Sequence, residues 1–135
     1  MPEPLRLVAG FGCKRGCPAM LLAALLDRTL AEHGLERSQV RGIASLDRKA
    51  DEPGLVALAA SLHVPFQTFT ALQLGAFEAR LTHRSAISFA HTGCHGVAES
   101  SALALSQALG TAEPQFRVGR QVLEGATLAL AVCSA

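Results

Sequence analysis

Short apolar runs alternate with longer helical stretches through the first half of the chain. Leu5 to Ala9 is short, apolar and compatible with a strand, and Gly10-Phe-Gly12 breaks it. Pro18 then opens a helical stretch, AMLLAALLDRTLAEH, since proline at the first helical position lacks only an N–H that would have no partner there. Gly34 ends that helix, and His33 in its last turn suits the negative end of the helix dipole. Val40 to Leu46 reads as a second strand. Asp51 is placed to cap a helix over 53–62, with Pro53 in its first turn. Val64 to Phe69 reads as a third strand, and Thr70 with Gln73 forms a capping box for a helix over about 71–80.

The second half is less regular. Thr82 to Thr92 is ambiguous, with Ala86 to Ala90 readable as a short strand or a packed loop. Val97 to Leu109 is helical between Gly96 and Gly110. Phe116 to Leu123 and Ala126 to Val132 flank Glu124-Gly125, a hairpin signal. The βαβαβ start calls for parallel strands joined by helical crossovers, and the hairpin adds an antiparallel part. The expected fold is a single three-layer α/β/α domain over residues 1–135, with a mostly parallel mixed sheet and a C-terminal antiparallel hairpin.

Composition narrows the function. Twelve Lys and Arg face eleven Asp and Glu, too even a balance for a general nucleic-acid binder. There is no Trp and no Tyr, and only six Phe, which disfavours a single-strand binder that stacks bases. Apolar runs such as Ala19 to Leu26 are far below the ~20 residues that span a bilayer. MPEPLRLVAG lacks the pattern of a secretory leader. A cytoplasmic protein with free thiols is therefore expected.

Ligands of open α/β sheets bind beyond the carboxyl ends of the parallel strands. Two polar loops leave those ends. The first, Gly10-Phe-Gly-Cys-Lys-Arg-Gly-Cys17, has three glycines, adjacent cations Lys14 and Arg15, and a helix N-terminus behind it. It reads either as an anion site or as a tight turn with solvated cations. It matches neither the dinucleotide glycine fingerprint nor a phosphate-binding P-loop, so neither NAD nor ATP is expected. The second, Ser45-Leu-Asp-Arg-Lys-Ala-Asp-Glu-Pro53, carries Arg48 and Lys49 as candidate carboxylate partners and Asp47 as a candidate base. A third segment, His91-Thr-Gly-Cys-His-Gly96, has metal-capable His91, Cys94 and His95. A structural zinc site completed by Cys13 and Cys17 has only a loose spacing match. The preferred reading is a loop shaped by Gly93 and Gly96, with Glu99 in the first turn of the next helix; no metal and no cofactor is expected. Cys17 next to a helix start reads as a weak cap rather than a nucleophile, and Cys133 as a buried small hydrophobe.

These segments together resemble one family. Gly10-Phe-Gly-Cys-Lys-Arg-Gly16, Ala44-Ser-Leu-Asp-Arg-Lys-Ala-Asp-Glu-Pro-Gly-Leu55 and Gly96-Val-Ala-Glu-Ser-Ser-Ala-Leu103 resemble, in order, motifs of the CobE proteins and of the C-terminal domain of CbiG. The resemblance implies cobalamin biosynthesis. CbiG opens the δ-lactone of a cobalt-precorrin and releases an aldehyde on the oxygen-independent route, and CobE is the stand-alone relative on the oxygen-dependent route. The chain has the length of the C-terminal domain alone, so the resemblance carries the pathway and ligand class rather than the hydrolase reaction. The implied ligand is a corrinoid or precorrin with acetate and propionate side chains. It would be held by Gly12, Cys13, Lys14, Arg15, Gly16, Asp47, Arg48, Lys49, Gly93, Gly96 and Glu99. Asp47 and Glu99 are the candidates for acid/base work if the protein is an enzyme. A third possibility is a module that docks on another enzyme of the pathway.

Overall fold

A computed structural model describes residues 5–133; residues 1–4, on which the leader reading partly rests, lie outside it. Five strands form one sheet: β1 (Leu7–Gly12), β2 (Val40–Leu46), β3 (Phe66–Phe69), β4 (Gln115–Leu123) and β5 (Ala126–Val132). Their order is β3-β2-β1-β5-β4. β1, β2 and β3 run parallel, and β5 runs antiparallel to both β1 and β4. Five α-helices accompany the sheet: α1 (Ala19–Glu32), α2 (Pro53–Leu62), α3 (Ala71–Gly75), α4 (Ala86–Thr92) and α5 (Val97–Ala108).

Alternation along the strands creates the three layers. Leu7, Ala9 and Phe11 of β1, with Leu128 and Leu130 of β5, point to one face and pack against Leu22, Leu25 and Leu26 of α1 and Leu55 and Leu58 of α2. Val8, Ala129 and Ala131 point to the other face, where α5 contributes Ala98, Ala102 and Leu105 and α3 contributes Leu74. All of α5 from Val97 to Ser106 is buried. Its small residues let it lie directly on β1: a Cβ on Gly10 would sit 2.0 Å from the Ala98 carbonyl oxygen and 2.6 Å from the Ala102 nitrogen.

Several sequence readings are corrected. β1 does not end before Gly10-Phe-Gly12 but runs through it, because β5 pairs with it as far as Gly12↔Thr127. β3 begins at Phe66 rather than Val64. The helix expected over 71–80 stops at Gly75 and resumes as a 3-10 turn over Glu78–Arg80, although the Thr70–Gln73 capping box is present. The segment 86–92 is neither strand nor loop but helix α4, capped by Ser85 Oγ accepting from the Ser88 N–H. Glu52, not Asp51, is the N-cap of α2, and Pro18 is the N-cap of α1 rather than its first residue. The hairpin turns on Glu124 and Gly125, both at positive φ, as a two-residue turn requires.

Candidate functional site

A cleft of about 640 Å³ opens at the carboxyl ends of the parallel strands. Four segments line it: the β1–α1 loop, the β2–α2 loop, the stretch from α4 into the start of α5, and the β4–β5 hairpin.

The first two loops are held to each other by one carboxylate. Glu52, only 4% exposed, accepts the Gly16 N–H through Oε2 at 3.0 Å, and its Oε1 lies 3.5 Å from Lys49 Nζ. Gly54 lets the start of α2 approach the first loop, since a Cβ there would meet the Cys17 carbonyl oxygen at 2.3 Å. Gly16 takes the left-handed conformation at φ +82, and Cys17 N–H closes a turn onto the Lys14 carbonyl at 3.1 Å. Below them the buried Ser45 hydroxyl donates to the Phe11 carbonyl at 2.7 Å, tying β2 to β1.

The third wall is built around His95. Its ring stacks on Phe89, centroids 4.4 Å apart, and its Nδ1 lies 2.9 Å from Glu78 Oε2. The Gly93 φ of +78 ends α4, and Gly96 caps α5, whose first residues open onto the cleft. Glu99 is 1% exposed and accepts from four donors: Thr82 N–H at 2.9 Å, His83 N–H at 3.2 Å, Arg120 N–H at 3.0 Å and the Thr82 hydroxyl. Those bonds fill the acceptor capacity of a carboxylate.

Charge in the cleft is one-sided. Lys14, Arg15, Arg48, Lys49 and Arg120 line it, against the single carboxylate of Glu99. Ser85, Ser88, Thr92 and Thr127 add hydroxyls, and Leu46, Ile87 and Val97 add apolar surface. Cys13 also lines it, and burial pushes its thiol up to about 11 despite the nearby Lys49 ammonium, so at neutral pH it is protonated. Burial likewise raises Cys17 and Cys94.

Of the residues singled out from the sequence, Gly12, Cys13, Lys14, Arg15, Arg48, Lys49, Gly96 and Glu99 line this cleft. Gly16, Asp47 and Gly93 do not; Asp47 is exposed in a 3-10 turn over Asp47–Lys49. Among the described residues no three His, Cys, Asp or Glu gather to hold a metal ion, and the His91 side chain of the zinc reading lies outside them. Sequence reasoning missed Glu52 and Arg120. A glycine inside a strand pattern often marks a bulge, and Gly119 beside Arg120 was the signal for the second.

Comparison with known proteins gives the family. The family described as cobalamin synthesis G C-terminus matches residues 7–131. Protein CobE of Sinorhizobium sp is 46% identical over 97 residues, 72% of this chain and 63% of that protein. Cobalt-precorrin-5A hydrolase of Salmonella typhimurium is 48% identical over 75 residues, 56% of this chain but 21% of that enzyme. The aligned part is thus under two thirds of either relative. A crystal structure of CobE, a protein from the cobalamin (vitamin B12) biosynthetic pathway, superposes with a TM-score of 0.91 at 42% identity, covering 99% of this chain and 94% of that one. With the family match running from β1 into β5, the chain belongs to the CobE and CbiG C-terminal family of cobalamin synthesis.

Proposed function

We propose that this protein acts in cobalamin biosynthesis by binding a carboxylate-rich corrinoid or precorrin intermediate in the cleft at the strand ends, on the oxygen-dependent route of its CobE relatives and in the cytoplasm. The observation that carries the reading is the convergence of five cationic side chains on one cleft that also has apolar surface and the N-terminus of α5. A macrocycle rimmed with acetates and propionates needs that combination: charge-assisted hydrogen bonds at its edge and apolar contact on its face. The cleft volume lies within the ~300–1,000 Å³ range of small-molecule sites.

Neither acid/base candidate read from the sequence is free to serve a ligand in the cleft. Asp47 is exposed and outside the cleft, Glu99 is occupied by four donors, and Cys13 carries a thiol rather than a thiolate near neutral pH. A general base needs a free acceptor within reach of the proton it takes.

Spectral titration of a corrinoid with free carboxylates tests the reading. The visible bands should shift on adding the protein at micromolar concentration. The Lys14→Glu, Arg15→Glu double variant should weaken binding by about tenfold or more, and added salt should weaken it further. A folded protein that leaves the spectrum unchanged would sink the proposal.

A further inference from the structure

We propose that Arg120 is a carboxylate-recognition residue of the cleft, delivered there by a β-bulge in β4, and that Glu99 is the positioning residue that locks the bulge. The proposal rests on the corrinoid reading and deepens it.

The register of the hairpin is the starting point. Val118 pairs with Leu130, and Gln121 pairs with Leu128, so β4 advances three residues where β5 advances two. Residues directly opposite in an antiparallel pair share a face. Val118, Gln121 and Leu123 therefore lie on the face of Leu130, Leu128 and Ala126, toward α1 and α2. Gly119 and Arg120 fall together on the other face, the side of α5 and the cleft. In an unbulged strand residue 120 would share the face of Val118, in the core beneath α1. The extra residue re-aims the arginine, a recognised use of bulges beside binding sites.

The bulge is held by side chains rather than left to water. The Arg120 N–H donates to Glu99 Oε2 at 3.0 Å. The Gln121 side-chain amide donates to the Gly119 and Arg120 carbonyls at 3.3 and 3.2 Å. Gly119 admits the carboxylate, since a Cβ there would lie 3.3 Å from Glu99 Oε2 and 3.2 Å from the Thr82 hydroxyl. Glu99 thus spends its charge on N–H groups of the backbone and on the Thr82 hydroxyl. The Arg120 guanidinium has no hydrogen bond or ion pair with protein among the described residues, and Arg120 is one of the residues that line the cleft. A planar cation at a cleft whose lining carboxylate, Glu99, is otherwise engaged is suited to bidentate recognition of a ligand carboxylate.

The test compares two probes: a corrinoid with all side-chain carboxylates free, and its fully methyl-esterified form. Wild-type protein should bind the acid more tightly than the ester. Arg120→Gln should weaken the acid by about tenfold and leave the ester unchanged, and Arg120→Lys should recover part of the loss. Glu99→Gln, which puts a donor where an acceptor stood, should cause the same selective loss, with little further loss in the double variant. Gly119→Ala presses on the same carboxylate and replaces Glu99→Gln if that variant does not fold. Equal affinity of Arg120→Gln and wild type for the acid, while Lys14→Glu weakens it, overturns this proposal and leaves the cleft as the site. No binding of either probe by the wild type overturns the corrinoid reading, and this proposal with it. Selective loss in Arg120→Gln without any in the Glu99 or Gly119 variants overturns the positioning role alone.

Discussion

Glu52 holds the Gly16 N–H at 3.0 Å and faces Lys49 at 3.5 Å, so one buried side chain sets the distance between the two cationic loops. Lys49 is tied to that carboxylate, while Lys14 lies across the hairpin turn, its Cε 3.3 Å from where a Cβ of Gly125 would stand. The same neighbourhood governs Cys13. Burial raises its thiol to about 11, and the Lys49 ammonium acts against that rise. At pH 8 about one Cys13 in a thousand is then thiolate, the reactive form. Alkylation of Cys13 by iodoacetamide, followed by peptide mass mapping, should accelerate about tenfold per pH unit from pH 8 to 10. Lys49→Met should slow it at any pH in that range, because the ammonium that favours the thiolate is gone. A rate that levels off near the ordinary thiol range of ~8–9 would contradict the burial argument.

At the scale of elements, the contact between β1 and α5 decides the fold's thickness. Gly10 is required by close approach of two backbones rather than by its own φ. Gly10→Ala should destabilise the protein by about 3 kcal/mol, since neither the Ala98 carbonyl nor the Ala102 nitrogen can step aside as a side-chain tip could. Urea unfolding measures this; a loss under about 0.5 kcal/mol would show that α5 is free to lift. The glycines of the first motif were legible in the sequence as breakers, yet Gly10 and Gly12 sit inside a strand, because pairing with β5 is a long-range effect that local propensity does not carry. Helix α4 was hidden for a related reason. Its seven residues expose Ile87 and Phe89, so no buried stripe announces it, and its Ser85 cap is the local cue.

For the molecule as a whole, hydrophobic patterning made the βαβαβ start, the helix over 97–109 and the closing hairpin legible, and these place the cleft at the strand ends. The cations of the first two loops were legible because they sit in adjacent pairs within loops that follow strands. Arg120 was not, because its role depends on a bulge register that exists only once β4 and β5 are paired. Glu52 was not, because a carboxylate in a charged loop reads as solvated until the fold buries it. The start of α5 and the cationic loops line the same cleft, so corrinoid binding there should couple all four segments. Backbone NMR during titration with a free-acid corrinoid tests that most directly. Amide signals of residues 12–15, 45–49, 95–99 and 119–127 should shift together and saturate with one affinity. Shifts confined to other surfaces, or none at saturating corrinoid, would contradict the cleft as the binding site.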